Sequence, residues 1–149
     1  MYFMAHALME SRSGLIVQGD LTRADGHAER RAALDMIHLH SPGSARRLTM
    51  DADKGYAAAR FIADLRKACV TPHVAQKLRH SEIDACTARH KGYALSIQHR
   101  KRTEKAFDRM KTIGGMAQTK YRGVEHMRSR FILTLAANNL ARLPRLLAA

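Results

Sequence analysis

Tryptophan is absent from this 149-residue chain, cysteine occurs twice, and acidic residues are half as numerous as basic ones. Each shortage excludes something. Cys69 and Cys86 are too few for a disulfide framework and suit a reducing cytoplasm better. No stretch approaches the ~18 apolar residues of a transmembrane helix. The opening Met1-Tyr2-Phe3-Met4-Ala5-His6 has no basic region ahead of an apolar run, so no signal peptide is indicated. A membrane-surface protein would carry a long basic amphipathic helix with aromatics on its apolar side, and the lack of Trp argues against one. No internal repeat or low-complexity tract is present. The expectation is a cytoplasmic protein with no membrane partner.

What is abundant is positive charge. Lys and Arg total 26 against 13 Asp and Glu, a formal +13. Such an excess says little about fold but predicts attraction to polyanions, nucleic acid first. Residues 99–130 alone hold ten Lys or Arg and three Asp or Glu. The length fits one domain with a modest core.

Along the chain, two apolar runs, Phe3 to Met9 and Leu15 to Leu21, flank Glu10-Ser11-Arg12-Ser13-Gly14, which signals a hairpin. His27 to His40 has helical spacing, with Asp25 as its N-cap. Ser41-Pro42-Gly43-Ser44 breaks the chain. A short strand, Arg47 to Met50, leads into Asp51-Ala52-Asp53-Lys54-Gly55-Tyr56. A helix over Ala57 to Cys69 follows, then a strand over Val70 to Ala75 that Pro72 places at an edge. Residues 76–93 show no usable period and read as a polar, basic loop. Helices over about Ala94 to Ile113 and Gly123 to Leu147 close the chain, separated by Gly114-Gly115 and a short linker. The order of elements favours a mixed α/β domain.

Two segments carry candidate chemistry. Asp53 follows a strand, and the C-terminal edge of strands is where α/β sheets build sites; an aspartate there equally caps the next helix. In the later helix, Arg100, Glu104 and Lys111 fall within roughly 40° of one another at about 100° per residue. That grouping is either a site or a solvated charged face with an ordinary i,i+4 pair.

Ala5-His6-Ala7-Leu8-Met9-Glu10, the run Leu21 to Arg30, Ala52-Asp53-Lys54-Gly55-Tyr56, Pro72-His73-Val74-Ala75-Gln76, Arg100-Lys101-Arg102 with Glu104 and Phe107, Lys111-Thr112-Ile113-Gly114-Gly115 and Ala136-Ala137-Asn138-Asn139-Leu140-Ala141-Arg142-Leu143-Pro144 occur in this order. Together they resemble the DDE transposases of bacterial insertion sequences over nearly the whole chain. The resemblance implies that residues 1–149 are the C-terminal portion of a DDE catalytic domain. The fold implied is α/β, a partial RNase H-like domain lacking its first central strand, with long C-terminal helices. That family holds divalent metal, Mg²⁺, with two aspartates and a glutamate. Asp53 matches the second aspartate and Glu104 the glutamate, so these two are the expected catalytic and metal residues of an incomplete site. The first aspartate would lie on a strand preceding the hairpin, and Asp20 is not its counterpart.

Arg100, Glu104 and Lys111 match the spaced Arg, Glu and Lys of the family's glutamate helix, with Ile97 where Tyr is expected. Ala57 and Arg109 stand where relatives often carry an acid and a Trp. Arg100, Lys111, Lys101, Arg102 and Lys54 are the expected phosphate or DNA contacts. Carboxylates suit Mg²⁺, a hard ion that prefers oxygen. If the resemblance holds, Asp53 and Glu104 converge to within roughly 10 Å, given metal–oxygen distances of about 2.0–2.1 Å.

The function expected is DNA transposition, with transposon-end DNA as partner and a homo-oligomer or full-length transposase as a further one. The fragment is expected to be inactive alone. Its alternative is a non-catalytic basic DNA-binding module or a regulator of full-length transposase. A third reading takes Cys69, His73, Cys86 and His90 as zinc ligands from their spacing; against it, Cys69 at a helix end reads as a small buried residue.

Overall fold

Phe3, Ala5, Ala7 and Met9 alternate with Met4, His6 and Leu8, and this period of two forms strand β1 (Phe3–Met9). The computed structural model describes residues 2–41, 47–77, 79, 81–118 and 120–148. Within them, β1 pairs antiparallel with β2 (Ile16–Arg23) from Phe3↔Arg23 onward, with a bulge between Leu8 and Met9. The turn is built as its residues dictate. The Glu10 carboxylate accepts the N–H groups of Arg12 (2.9 Å) and Ser13 (2.6 Å), and Gly14 supplies a left-handed φ of 68°.

The chain divides into two units, Met1–His40 with Arg102–Ala149, and Ser41–Lys101. In the first, α1 (Ala28–His40) packs on the hairpin, burying Ala28, Ala32, Ala33, Met36 and Ile37. Asp25 starts it by accepting the His27 N–H at 2.7 Å. Helices α5 (Lys101–Thr112) and α6 (Val124–Leu147) supply the remaining core. Ala106, Met110, Met127, Phe131 and Leu135 meet Ile16 and Leu21, and the odd-numbered residues of β1 pack on this cluster. Burying each large side chain contributes about 1.5–3 kcal/mol.

At the Gly114-Gly115 stop the chain leaves the helix through a left-handed glycine. Gly115 has φ 62°, and the Met116 N–H bonds back to the Met110 carbonyl at 3.1 Å, which places Met116 on the core. Three long side chains then fasten the hairpin to the helices. Asn139 Nδ2 donates to the Ile16 carbonyl (2.8 Å) while its Oδ1 accepts the Ile16 N–H (2.9 Å). Arg142 donates to the Ser13 carbonyl, and Arg102 to those of Ser11 and Arg12.

The second unit is a βαβ element. β3 (Leu48–Ala52) and β4 (Val70–Val74) run parallel, in register from Leu48↔Val70 to Ala52↔Val74. Parallel strands need a crossover, and α2 (Ala59–Lys67), with Phe61, Ile62 and Leu65 buried, provides it. The described residues thus form two two-stranded sheets among helices, a mixed α/β architecture.

Four local expectations are corrected. Residues 76–93 are not wholly loop: α3 (Ala85–Arg89) and the start of α4 (Lys91–His99) lie there. Both are begun by polar caps rather than by an apolar period. Asp84 accepts the Thr87 N–H at 2.7 Å, and His90 accepts the Gly92 N–H at 3.0 Å. The helix expected over Ala94 to Ile113 is two helices, α4 and α5, interrupted at Arg100 with no Gly or Pro to mark the place. The helix after Tyr56 starts two residues later than expected, behind a 3-10 turn over Lys54–Tyr56. Cys69 is exposed rather than buried, because it occupies the left-handed residue (φ 57°) that turns α2 into β4. The break expected at Pro42-Gly43-Ser44 lies outside the described residues.

Candidate functional site

Asp53 is the first residue after β3, at the C-terminal edge of the parallel pair. Its Oδ1 accepts the Lys54 N–H (2.6 Å), so it caps the 3-10 turn over Lys54–Tyr56. The same oxygen accepts from Arg100 Nη1 at 3.0 Å. Oδ2 takes no hydrogen bond among the described residues. Asp53's side chain is 61% exposed and Arg100's 26%. The aspartate thus presents one open oxygen to solvent, while a half-buried guanidinium steadies the other.

Arg100 reaches Asp53 because α4 is docked on the strand pair. Tyr93 donates its hydroxyl to the Val74 carbonyl at 2.9 Å. Ser96, one turn on, shares a 2.7 Å hydrogen bond with His73 Nδ1, and the Tyr93 ring meets His73 edge-on at 5.5 Å. The ladder itself continues past β4 through Ala75 N–H to the Ala52 carbonyl, 2.9 Å. With Tyr93 and Ser96 held, the residue after α4's last turn falls at the end of β3. His73, Tyr93 and Ser96 went unremarked as positioning residues. The one available signal was a histidine inside the short strand Val70-Thr71-Pro72-His73-Val74.

Burial pushes the His73 imidazole below its ordinary pKa; the His90 charge adds to this and Asp51 opposes it.

The other expected site residues lie in the first unit or at its boundary. Glu104 is exposed on the first turns of α5, and Lys101 is that helix's first residue. Arg102 is engaged with the hairpin turn through the carbonyls of Ser11 and Arg12. Lys111 lines, with Phe107, Met110 and Phe131, an apolar cavity of about 110 Å³. Lys54 is exposed beside Asp53. The second unit therefore brings Asp53, Lys54 and Arg100 together, and the first carries Glu104, Arg102 and Lys111.

Among the described residues, no group of three or more His, Cys, Asp or Glu side chains is placed to hold a metal ion, and this covers the Cys69, His73, Cys86 and His90 set. Asp53 by itself suits a hard divalent cation, as an exposed carboxylate with an open oxygen. The first unit holds a second polar network. Asp20 accepts from Arg128 Nε (2.9 Å) beside His6, which bonds Thr22 Oγ1 at 2.8 Å. Among the described residues no helix is long and apolar enough to cross a membrane.

Residues 2–140 match the family described as the transposase DDE domain. No curated protein and no solved structure was found to match the chain.

Proposed function

This chain belongs to the transposase DDE family, whose function is DNA transposition and whose members generally use divalent metal, and we propose that it is a DNA-binding portion of an RNase H-like transposase catalytic domain acting in the cytoplasm. Asp53 and Glu104 are the metal-holding carboxylates it contributes, and Mg²⁺ the ion they take. The observation that carries this reading is Asp53 itself, a carboxylate at the end of a parallel strand, steadied on one oxygen by Arg100 and open on the other. A divalent pair in such a site supplies activation of the attacking oxygen and stabilisation of the leaving one.

The chain's own groups do the rest. Arg100 and the Lys54 N–H orient Asp53 so that Oδ2 faces the ligand. Arg100, Lys54, Lys101 and Lys111 neutralise phosphates of the transposon end, Arg100 with a planar fork suited to a phosphate's oxygens, while Arg102 is committed to the hairpin turn. With no group of three or more His, Cys, Asp or Glu placed to hold a metal among the described residues, the 149-residue chain on its own binds DNA without cutting it.

A fluorescence titration of labelled duplex DNA at several salt concentrations tests this. With four phosphate contacts, log affinity should fall with log salt at a slope of about −3 to −4. Replacing Lys54 or Lys101 by Ala should each flatten the slope by about one. Incubation with Mg²⁺ or Mn²⁺ should leave the duplex uncut. Salt-independent affinity overturns the DNA reading; cleavage that vanishes in Asp53→Ala and Glu104→Ala overturns the claim of inactivity.

A further inference from the structure

Two hydrogen bonds converge on one oxygen of Asp53, and they are not equivalent. The Lys54 N–H, at 2.6 Å, belongs to the backbone of the turn that Asp53 caps, so it lasts as long as the turn does. Arg100 Nη1, at 3.0 Å, arrives on a long side chain from 47 residues away. The backbone bond already fixes the direction of the carboxylate. What Arg100 adds is chiefly charge, as the counterion of Asp53 within the second unit.

This contact can be given up and re-formed. Asp53 is 61% exposed, and ion pairs so open to water hold weakly. The backbone of Arg100, by contrast, is anchored. Its N–H bonds the Ser96 carbonyl at 3.1 Å at the end of α4, and α4 is docked through Ser96 on His73 and Tyr93 on Val74. The guanidinium can leave Asp53 and return while its Cα stays in place.

We infer, resting on the reading of Asp53 as a metal-holding carboxylate, that Arg100 is an exchangeable counterion coupling the two ligands of this site: DNA phosphate draws the guanidinium off Asp53 and so opens the carboxylate to the divalent cation. The reason is electrostatic. A dication approaching the ion pair meets a carboxylate whose charge is already neutralised, with the exposed Lys54 beside it. A phosphodiester offers the guanidinium fork two oxygens, a better match than the one Asp53 oxygen that Nη1 contacts. Once phosphate holds Arg100, Asp53 regains its full charge and keeps its orientation through the Lys54 N–H. The cation is thus held weakly before DNA binds and firmly afterwards, and by linkage the cation strengthens phosphate binding by the same factor.

A Mn²⁺ titration of the isotope-labelled full chain, read as paramagnetic broadening of the Lys54 and Gly55 amide signals, is the test. In the wild type a short duplex should lower the Mn²⁺ concentration required by about tenfold, an ordinary size for coupled sites. Without DNA, Arg100→Gln should bind Mn²⁺ about tenfold more tightly than the wild type, and duplex should then add little. A variant that binds no better than the wild type would make Arg100 an orienting group only and overturn the inference. So would a duplex that helps both proteins equally, which is the effect of DNA's own counterion atmosphere. Should Arg100→Gln fail to fold, the wild type decides alone. In EDTA, the carboxyl carbon signal of Asp53 should move when duplex is added, and should not move with a duplex whose methylphosphonate backbone is uncharged. A signal unmoved by the ordinary duplex overturns the exchange. Broadening that survives Asp53→Asn is a different failure: it removes Asp53 as the cation's ligand, and the inference falls with that reading.

Discussion

Asn138 and Asn139 are neighbours of one residue type on one helix, and their replacement by leucine should have opposite outcomes. Asn139 makes two hydrogen bonds to the backbone of Ile16, at 2.8 and 2.9 Å, across 123 residues of chain. These hold the first residue of β2, whose side chain is in the core. Each bond contributes about 0.5–1.5 kcal/mol net, and removing the side chain also leaves the Ile16 N–H and carbonyl half-buried and unpaired, so about 2 kcal/mol should be lost. For a chain of this size that lowers the thermal midpoint by roughly 6–8 °C. Asn138 is 6% exposed and its Nδ2 finds no partner among the described residues. A leucine of similar volume there removes a polar group that burial penalises, so Asn138→Leu should be neutral or raise stability by up to about 1 kcal/mol. Leucine's better helix propensity enters both variants equally and cancels in their difference. Thermal and urea denaturation of the two variants beside the wild type decides the matter. Equal effects, or a larger loss at Asn138, would refute the clamp.

Two further outcomes follow from the packing and the buried rings. Gly114→Ala should destabilise by about 1–3 kcal/mol, because a Cβ there would stand 2.6 Å from the Met110 carbonyl and 2.7 Å from Thr134 Cγ2; a urea midpoint unchanged from wild type would contradict the close approach. His6 and His73 both lie below their ordinary pKa, chiefly through burial, with Asp20 and Glu29 opposing at His6. The unfolded rings take up protons before the folded ones do, so their stabilising effect is complete above about pH 6.5 and is lost as pH falls below it. Thermal midpoints should therefore drop between pH 7.5 and 5.5, and a His6→Gln/His73→Gln variant should flatten that slope; a midpoint that rises on acidification would show the sign to be wrong.

Local signals in the chain were enough for the hairpin, for α1, for α6 and for the stop at Gly114-Gly115. Each of these depends on the period of apolar residues or on a turn residue within a few positions, and such short-range physics is written in order along the sequence. The excess of Lys and Arg and the ordered motifs likewise pointed to DNA and to the family without any coordinates. Asp53 and Glu104 were singled out by the same resemblance. What only the tertiary structure decided is how side chains far apart in sequence are held. Arg100 meets Asp53 across 47 residues because Tyr93 and Ser96 dock α4 on Val74 and His73, and no period encodes that docking. Arg102, expected to face DNA, has a guanidinium engaged with two carbonyls of the hairpin turn, some ninety residues away. The short helix α3 was illegible because Asp84 and Thr87 begin it by hydrogen bonding, with no apolar stripe to betray it. Cys69 was misjudged for a related reason: composition makes a cysteine look like core, whereas a backbone turning from α2 into β4 put it in the left-handed region at the surface. Patterns of burial repeat along a chain and can be read from it; hydrogen bonds between distant residues occur once each, and they exist only after the chain has folded.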